Sequence, residues 1–267
     1  MDRKLNYLFS FLLIVVFIFA ANAEQHRAII LGLILASVCS FTVFLLRQLT
    51  LDGMFAAIVV GTFVFGLGGL AAAFVILLFF VSSVILSNYW KAKSFHWGEA
   101  RRDGRQVWAN SFALVLSLVL AAFFNSELFL TGAMAALATA TADTWATELG
   151  DQSRQSTYLI TTFQNIEPGA DGGVSRQGSA AALAGSVMIA LAAAFVFPLY
   201  FFDFIFIFLS GVFGCFADSW LGAVFQQKNK KISFPFFQQK IKIGNNLVNS
   251  LSTASGTLLA IILKLIF

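Results

Sequence analysis

The sequence predicts an all-α, polytopic membrane protein of about nine transmembrane helices with a cytoplasmic N-terminus, and three observations predict it. Apolar residues make up 59% of the 267-residue chain, mean hydropathy is +0.84 and only 11% of residues are charged. Those apolar residues recur in stretches of about 20, the length needed to cross a hydrocarbon core. The Lys and Arg residues fall almost entirely on alternate connections between the stretches. So little chain lies outside the apolar stretches that residues 1–267 are expected to form a single integral domain.

The segments follow in order. The first, 5–22, has a basic start at Arg3 and Lys4 and resembles a signal anchor. Its end at Ala21-Asn22-Ala23 also suits signal peptidase, but it is read as an uncleaved helix. Next come 28–46, 51–67 and 70–88, the last two separated by a tight turn at Gly66-Leu67-Gly68-Gly69. The remaining five are 107–124, 128–146, 180–201, 203–225 and 246–266. With nine spans, one side of the membrane carries 15 of the 17 Lys and Arg, all but Arg27 and Lys264. The positive-inside rule makes that side cytoplasmic, which in a bacterium is the inner face of the cytoplasmic membrane. The long polar connections, roughly 89–106, 147–179 and 226–245, fall on the same side, so the chemistry is expected there.

Cys39 and Cys215 both lie in apolar runs and read as small core residues. His26 and His96 are the only histidines, so neither a zinc site nor a Ser-His-Asp set is expected. The net charge of +4 is modest, and no nucleic-acid partner is expected.

Four polar clusters sit where spans meet the cytoplasmic connections. In RRDGRQVWAN, Gln106 and Asn110 are four apart and share a helix face. Arg101 and Arg102 read as interfacial anchors that snorkel to headgroups, with Arg105 at the membrane boundary. In ATATADTWATELGD, Gly132, Ala136, Thr139 and Asp143 form one helical stripe. Such a stripe permits close helix packing, and it also carries a carboxylate to a membrane boundary, where carboxylates tend to mark function. Glu148 lies five residues beyond Asp143, so the two share a site only if the helix ends or turns near Trp145. Asp151 completes the acidic run. In GADGGVSRQGS, Gly172, Gly173 and Gly178 would let backbone N–H groups approach an anion. Ser175 and Ser179 could donate hydrogen bonds there and Arg176 adds charge, an arrangement suited to phosphate at a helix N-terminus; a flexible connection has the same composition. In GCFADSWLGA, Gly214, Asp218 and Gly222 recur every four residues. In NNLVNSLSTASG, Asn246, Asn249, Ser250 and Thr253 form a polar face, which could also be interhelical glue. Carboxylates with amide oxygens suit Mg²⁺, and arginine with a backbone nest suits phosphate. The residues alone leave Mg²⁺-assisted phosphate chemistry and anion transport both open.

RQVWAN, ADTWATELG, GGVSRQG, DSWLGA and NNLVNSLST, in this order, resemble the integral membrane family of transmembrane protein 19 and the plant phytyl-phosphate kinases, over residues from about 50 to 267. The resemblance implies a kinase that uses CTP, or another nucleoside triphosphate, to convert an isoprenyl or phytyl-type monophosphate to its diphosphate. The carry-over covers Asp143, Glu148, Gly172, Gly173, Ser175, Gly178, Asp218, Asn246 and Asn249; taken with the polar clusters above, Asp143, Glu148, Asp218 and Arg105 are expected to be catalytic. Gly172, Gly173, Ser175, Arg176, Gly178 and Asn110 would bind nucleotide or phosphate, and Asp143, Asp218, Asn246 and Asn249 would hold Mg²⁺. Arg176 departs from the apolar residue usual after the loop serine, which leaves the substrate open. Oligomeric state and the lipid acceptor are also open. A CDP-alcohol phosphotransferase is disfavoured, because the residues after Gly185 are apolar where its aspartates should follow. No P-loop sequence occurs. A transporter of an anionic or lipid-linked substrate is the alternative from another class.

Overall fold

The computed structural model describes residues 2–19, 23–91, 101–150, 156–227, 231–233 and 240–267. Asp151, Arg154, Lys93, His96, Lys228 and Lys230 lie outside these residues, as do Ala21 and Asn22 of the possible cleavage sequence. Eight α-helices account for nearly all of the fold: α1 (Asp2–Phe19), α2 (Ala23–Leu45), α3 (Leu51–Lys91), α4 (Gly104–Phe124), α5 (Glu127–Gly150), α6 (Arg176–Val196), α7 (Phe201–Leu221) and α8 (Asn245–Ile266).

Six helices among the described residues are long and apolar enough to cross a membrane, not nine: those over Glu24–Leu45, Leu51–Ser87, Gly104–Phe124, Arg176–Val196, Phe201–Gln226 and Asn245–Ile266. Three features account for the difference. The apolar part of α1 is only Asn6–Ile18. The two segments expected at 51–67 and 70–88 count as one apolar stretch, Leu51–Ser87, within α3, although the helix is broken at Gly69, inside the turn expected between them. The segment expected at 128–146 is α5, whose Ala, Thr and Gly residues are weakly hydrophobic. The alternation that put the N-terminus in the cytoplasm depended on nine crossings, so the count of six does not carry it.

Within α3 the chain doubles back at Gly69, whose φ of 65° and ψ of −167° are open essentially to glycine alone. A Cβ there would meet nothing within 4 Å, so the conformation and not space requires glycine. The doubling back is visible at the next connection. The Gly53 end of α3 packs on the backbone oxygen of Arg102, and Phe80 of the returning arm lies 5.7 Å from the Arg102 guanidinium carbon. A straight helix would separate residues 53 and 80 by about 40 Å.

The α3–α4 connection is tied down by several hydrogen bonds. Arg102 N donates to Gln48 O at 3.0 Å, and Thr50 N donates to Arg102 O at 3.1 Å. Gly104 N donates to Asp52 Oδ2 at 2.9 Å. Asp103 then caps α4 in a reciprocal pair with Gln106, which fixes where that helix starts.

At the centre of the bundle is α5, buried at every residue from Thr131 to Ala142. It packs against α3, α4, α6, α7 and α8. Small side chains make this possible, since lipid offers no hydrophobic drive between helices and close packing must hold them. Gly211 of α7 packs on Ala138, Gly185 of α6 on Thr141, and Gly214 of α7 and Gly256 of α8 on Thr139. The expected stripe therefore does face neighbouring helices, but so does every other side of α5. A helix sheathed in protein has no need of lipid-compatible hydropathy.

The polar connections also carry two small antiparallel sheets. β1 (Thr157–Leu159) is central in the first, flanked by β2 (Asn165–Ile166) and β3 (Gly173–Val174). β4 (Lys231–Ser233) pairs with β5 (Lys240–Lys242) in the second. At the opposite end of the bundle, Lys264 of α8 lies 2.7 Å from Asp203 of α7 and 3.8 Å from Glu127 of α5, closing that end with an ion pair.

Candidate functional site

A cleft opens where α5, α6, α7 and α8 meet the first sheet. The end of α5 supplies Asp143, Ala146, Thr147 and Gly150; the loop contributes 169–175; α7 supplies Cys215, Asp218 and Ser219; Asn245 closes the far side. Asp143 and Asp218 face each other across it closely enough for their charges to interact. Asp171, exposed on the glycine loop, adds a third negative charge that acts on Asp218. The described lining contains these three carboxylates and no Lys or Arg.

The local sequence explains each placement. Asp143 is the first residue of α5 past the fully buried stretch, so it emerges where the helix leaves its protein sheath. Asp218 follows Gly211 and Gly214, which let α7 lie directly on α5. After Asp218 the helix widens into a π turn over Gly222–Gln226. Gly172, with φ of 78°, sits on this turn. A Cβ on it would fall 2.6 Å from the Ala223 Cα, so both conformation and space require glycine there. Ser175 caps α6 by accepting from Gly178 N at 3.1 Å. Gly178 in turn lets α6 approach Ala146 and Gly150 of α5. Gly172, Gly173, Ser175 and Gly178 thus all line the cleft, and three of them also hold the loop to the helices.

Asn249 links Asp218 to Asn110. With its amide nitrogen turned to the cleft side, it donates to Asp218 Oδ2 at 3.2 Å and to Asn245 O at 2.9 Å. The other end of the amide lies 3.4 Å from Asn110 Oδ1. Ser252, almost wholly buried, lies beside Asp218, and its hydroxyl donates to Asn249 O at 2.9 Å. Asn249 and Ser252 therefore orient the carboxylate from behind.

Other residues expected at the site lie elsewhere. α5 is continuous through Trp145 to Gly150, so Asp143 and Glu148 point roughly 140° apart. Glu148 accepts a hydrogen bond from Ser87 of α3 and lies near Arg102, on the far side of α5 from the cleft. Arg105, on the first turn of α4, and Arg176, the first residue of α6, are exposed and outside the cleft lining. The side chain of Asn246 is outside the lining as well; Asn245 lines it instead. Arg102 was expected to snorkel outward. It is half-buried above Phe80 and lines a second, apolar cavity. Burial lowers the pKa of this guanidinium, and the Glu148 carboxylate pulls it back up. Asp171, Thr147 and Ser219 were missed. Asp171 lies inside the glycine-loop motif and was legible there as a carboxylate beside two glycines.

Among the described residues no group of three or more His, Cys, Asp and Glu side chains could enclose a metal ion. Mg²⁺ bound together with phosphate needs less, since one or two carboxylates plus waters and phosphate oxygens suffice. Asp143 and Asp218, facing each other in an open cleft, fit that requirement.

An all-helical bundle with six candidate spans and an acidic cleft at one end defines a multi-pass integral membrane protein. The chain belongs to the family described as integral membrane protein DUF92, whose model matches residues 33–257. An uncharacterized membrane protein of Methanocaldococcus jannaschii is 30% identical, the match covering 81% of this chain and 86% of the relative. An uncharacterized membrane protein of Synechocystis sp. is 29% identical over 70% of this chain and 71% of its own. Protein VTE6, chloroplastic, of Arabidopsis thaliana is 26% identical over 82% of this chain and 66% of its own. No solved structure matches.

Proposed function

We propose that this protein is a lipid-phosphate kinase. It transfers the γ-phosphoryl group of a nucleoside triphosphate, CTP by family resemblance, to an isoprenyl or phytyl-type monophosphate, at the cytoplasmic membrane face. The observation that carries the reading is the charge of the cleft. Three carboxylates and no described cation line it, so a polyphosphate enters favourably only as a complex with divalent cation. Asp143 and Asp218 would hold Mg²⁺, which supplies charge neutralisation on the phosphates when bound. Asn249 and Ser252 keep Asp218 aimed into the cleft. Ser175 and Ser179 belong to the wall on which phosphate oxygens would rest.

The chemistry requires no general base. A monophosphate is already ionised near neutral pH, so its oxygen attacks the γ-phosphorus directly. One P–O bond forms to that oxygen, the bond to the β-phosphate oxygen breaks, and the nucleoside diphosphate leaves with the electron pair. Catalysis then rests on holding two anions in line and offsetting their charge. The cleft offers carboxylates, amides and hydroxyls and no histidine, as this chemistry allows.

The test is to incubate the purified full chain, in bilayer discs, with Mg²⁺, CTP or ATP, and a panel of isoprenyl monophosphates, and to identify products by mass. An isoprenyl diphosphate is expected. If no member of the panel is phosphorylated with either nucleotide, the reading is wrong; flux of intact substrate across the bilayer would favour a transporter.

A further inference from the structure

A second cavity, partly open, lies between α2, the two arms of α3, and α4. Its wall is apolar over most of its area, with Val43, Val60, Phe65 and Phe79 among its lining. The polar groups in it are few: Arg102, Gln106, Asn110, Ser111 and Ser40. Arg102 belongs to the α3–α4 connection, whose backbone is pinned to Gln48 and Thr50, so the guanidinium is held over the cavity by a fixed support. Asn110 connects this cavity with the acidic cleft without lining the latter. It lines this cavity, and it is 3.4 Å from the Asn249 side chain that contacts Asp218 in the acidic cleft. The two sites are therefore separated by one pair of asparagines.

We propose that this cavity is the acceptor site and takes a single-chain lipid monophosphate. The hydrocarbon tail lies among α2, α3 and α4, and the phosphate lies between Arg102 and Asn110. The proposal rests on the kinase reading, which requires an anionic lipid acceptor beside the acidic cleft. Three observations support it. An apolar wall with a charged group at its rim matches an amphiphile and not a soluble metabolite. The charge is positive, while the lining of the other cleft carries only negative charge, so the two sites sort their ligands: metal-bound polyphosphate in one, metal-free lipid phosphate in the other. A planar guanidinium has five donors, enough to serve both a phosphate and the nearby Glu148 carboxylate. Glu148, carried over as catalytic by resemblance, then acts on Arg102 through its charge, and is itself held by Ser87.

Photo-crosslinking without nucleotide tests the site. The full chain in phosphatidylcholine discs is irradiated with a geranylgeranyl monophosphate analogue carrying a diazirine near its tail end. Adducts are mapped by peptide mass. The expected result is labelling on residues of α2 and α3 that line the cavity, competed by geranylgeranyl monophosphate and much less by geranylgeraniol or oleate. Arg102→Gln should lower apparent affinity about tenfold or more, as loss of a charge-assisted contact implies, and Arg102→Lys should recover part of it. Adducts on other helices, no adducts, or equal competition by the alcohol would overturn the proposal. So would equal competition by oleate, which would mark a general anionic-lipid site. Because no nucleotide is present, these outcomes are independent of phosphoryl transfer. Labelling in the cavity with no transfer to any lipid phosphate would leave the binding site standing and refute the kinase. Transfer without labelling there would do the reverse.

Discussion

Asn249→Leu removes the amide that lies between Asp218 and Asn110 while keeping the side chain close to its original volume. The donor to Asp218 Oδ2 at 3.2 Å is lost, and so is the 2.9 Å bond to Asn245 O. A hydrogen bond to a charged group contributes about 1.5–3 kcal/mol, which corresponds to roughly ten- to 150-fold in an equilibrium constant. If Asn249 acts by aiming Asp218 at Mg²⁺, that loss appears in the metal requirement. The concentration of Mg²⁺ giving half-maximal transfer should rise by about tenfold or more. Ser252→Ala removes the hydroxyl that holds Asn249 from behind, at its backbone oxygen, and should shift the requirement in the same direction. The assay is a Mg²⁺ titration of transfer at saturating nucleotide, with thermal stability measured in parallel. A folded Asn249→Leu variant with an unchanged Mg²⁺ requirement would refute the positioning role.

The fold carries its own predictions. Gly69→Ala forces a side chain into a conformation reserved for glycine, at about 1–3 kcal/mol. It should lower the melting temperature with little change in nucleotide affinity, because Gly69 is far from the cleft; an unchanged melting temperature would contradict the doubled-back geometry. Lys264→Met strands the buried Asp203 carboxylate and should destabilise by about 3–5 kcal/mol. Adding Asp203→Leu should restore much of that loss, and a double variant no better than the single one would show that the ion pair is not what holds that end together.

Composition made the membrane class legible, and small-residue spacing made the two central aspartates legible. Asp143 sits one step beyond a run of Ala and Thr, and Asp218 falls on the four-residue spacing of Gly214 and Gly222, so each carboxylate has to face protein. The glycine loop was legible for a similar reason, although Gly172 proves to be fitted to Ala223 as well as available to a ligand. Span counting failed where hydropathy and burial part company. α5 is the most deeply buried helix of the bundle and yet is not apolar enough to count as a span. Glu148 was grouped with Asp143 by resemblance, and the spacing allowed this only if the helix turned near Trp145; α5 runs on to Gly150, so the two side chains meet different neighbours. Arg101 and Arg102 are indistinguishable in sequence. Only the backbone bonds to Gln48 and Thr50, 52 or more residues away, decide that Arg102 turns inward. The second cavity is built from α2, α3 and α4 together and leaves no local motif.

The central claim is that Asp143 and Asp218 hold the divalent cation through which the γ-phosphoryl group is transferred. The most direct measurement uses γ-labelled CTP with geranylgeranyl monophosphate, on the native chain and on Asp143→Asn and Asp218→Asn, with and without Mg²⁺. Label should appear in geranylgeranyl diphosphate only with the native chain and the metal, and should fall by at least about a hundredfold in either folded variant, the scale of losing one preorganised electrostatic group. Near-native transfer in both variants, or transfer that persists without divalent cation, would contradict the account.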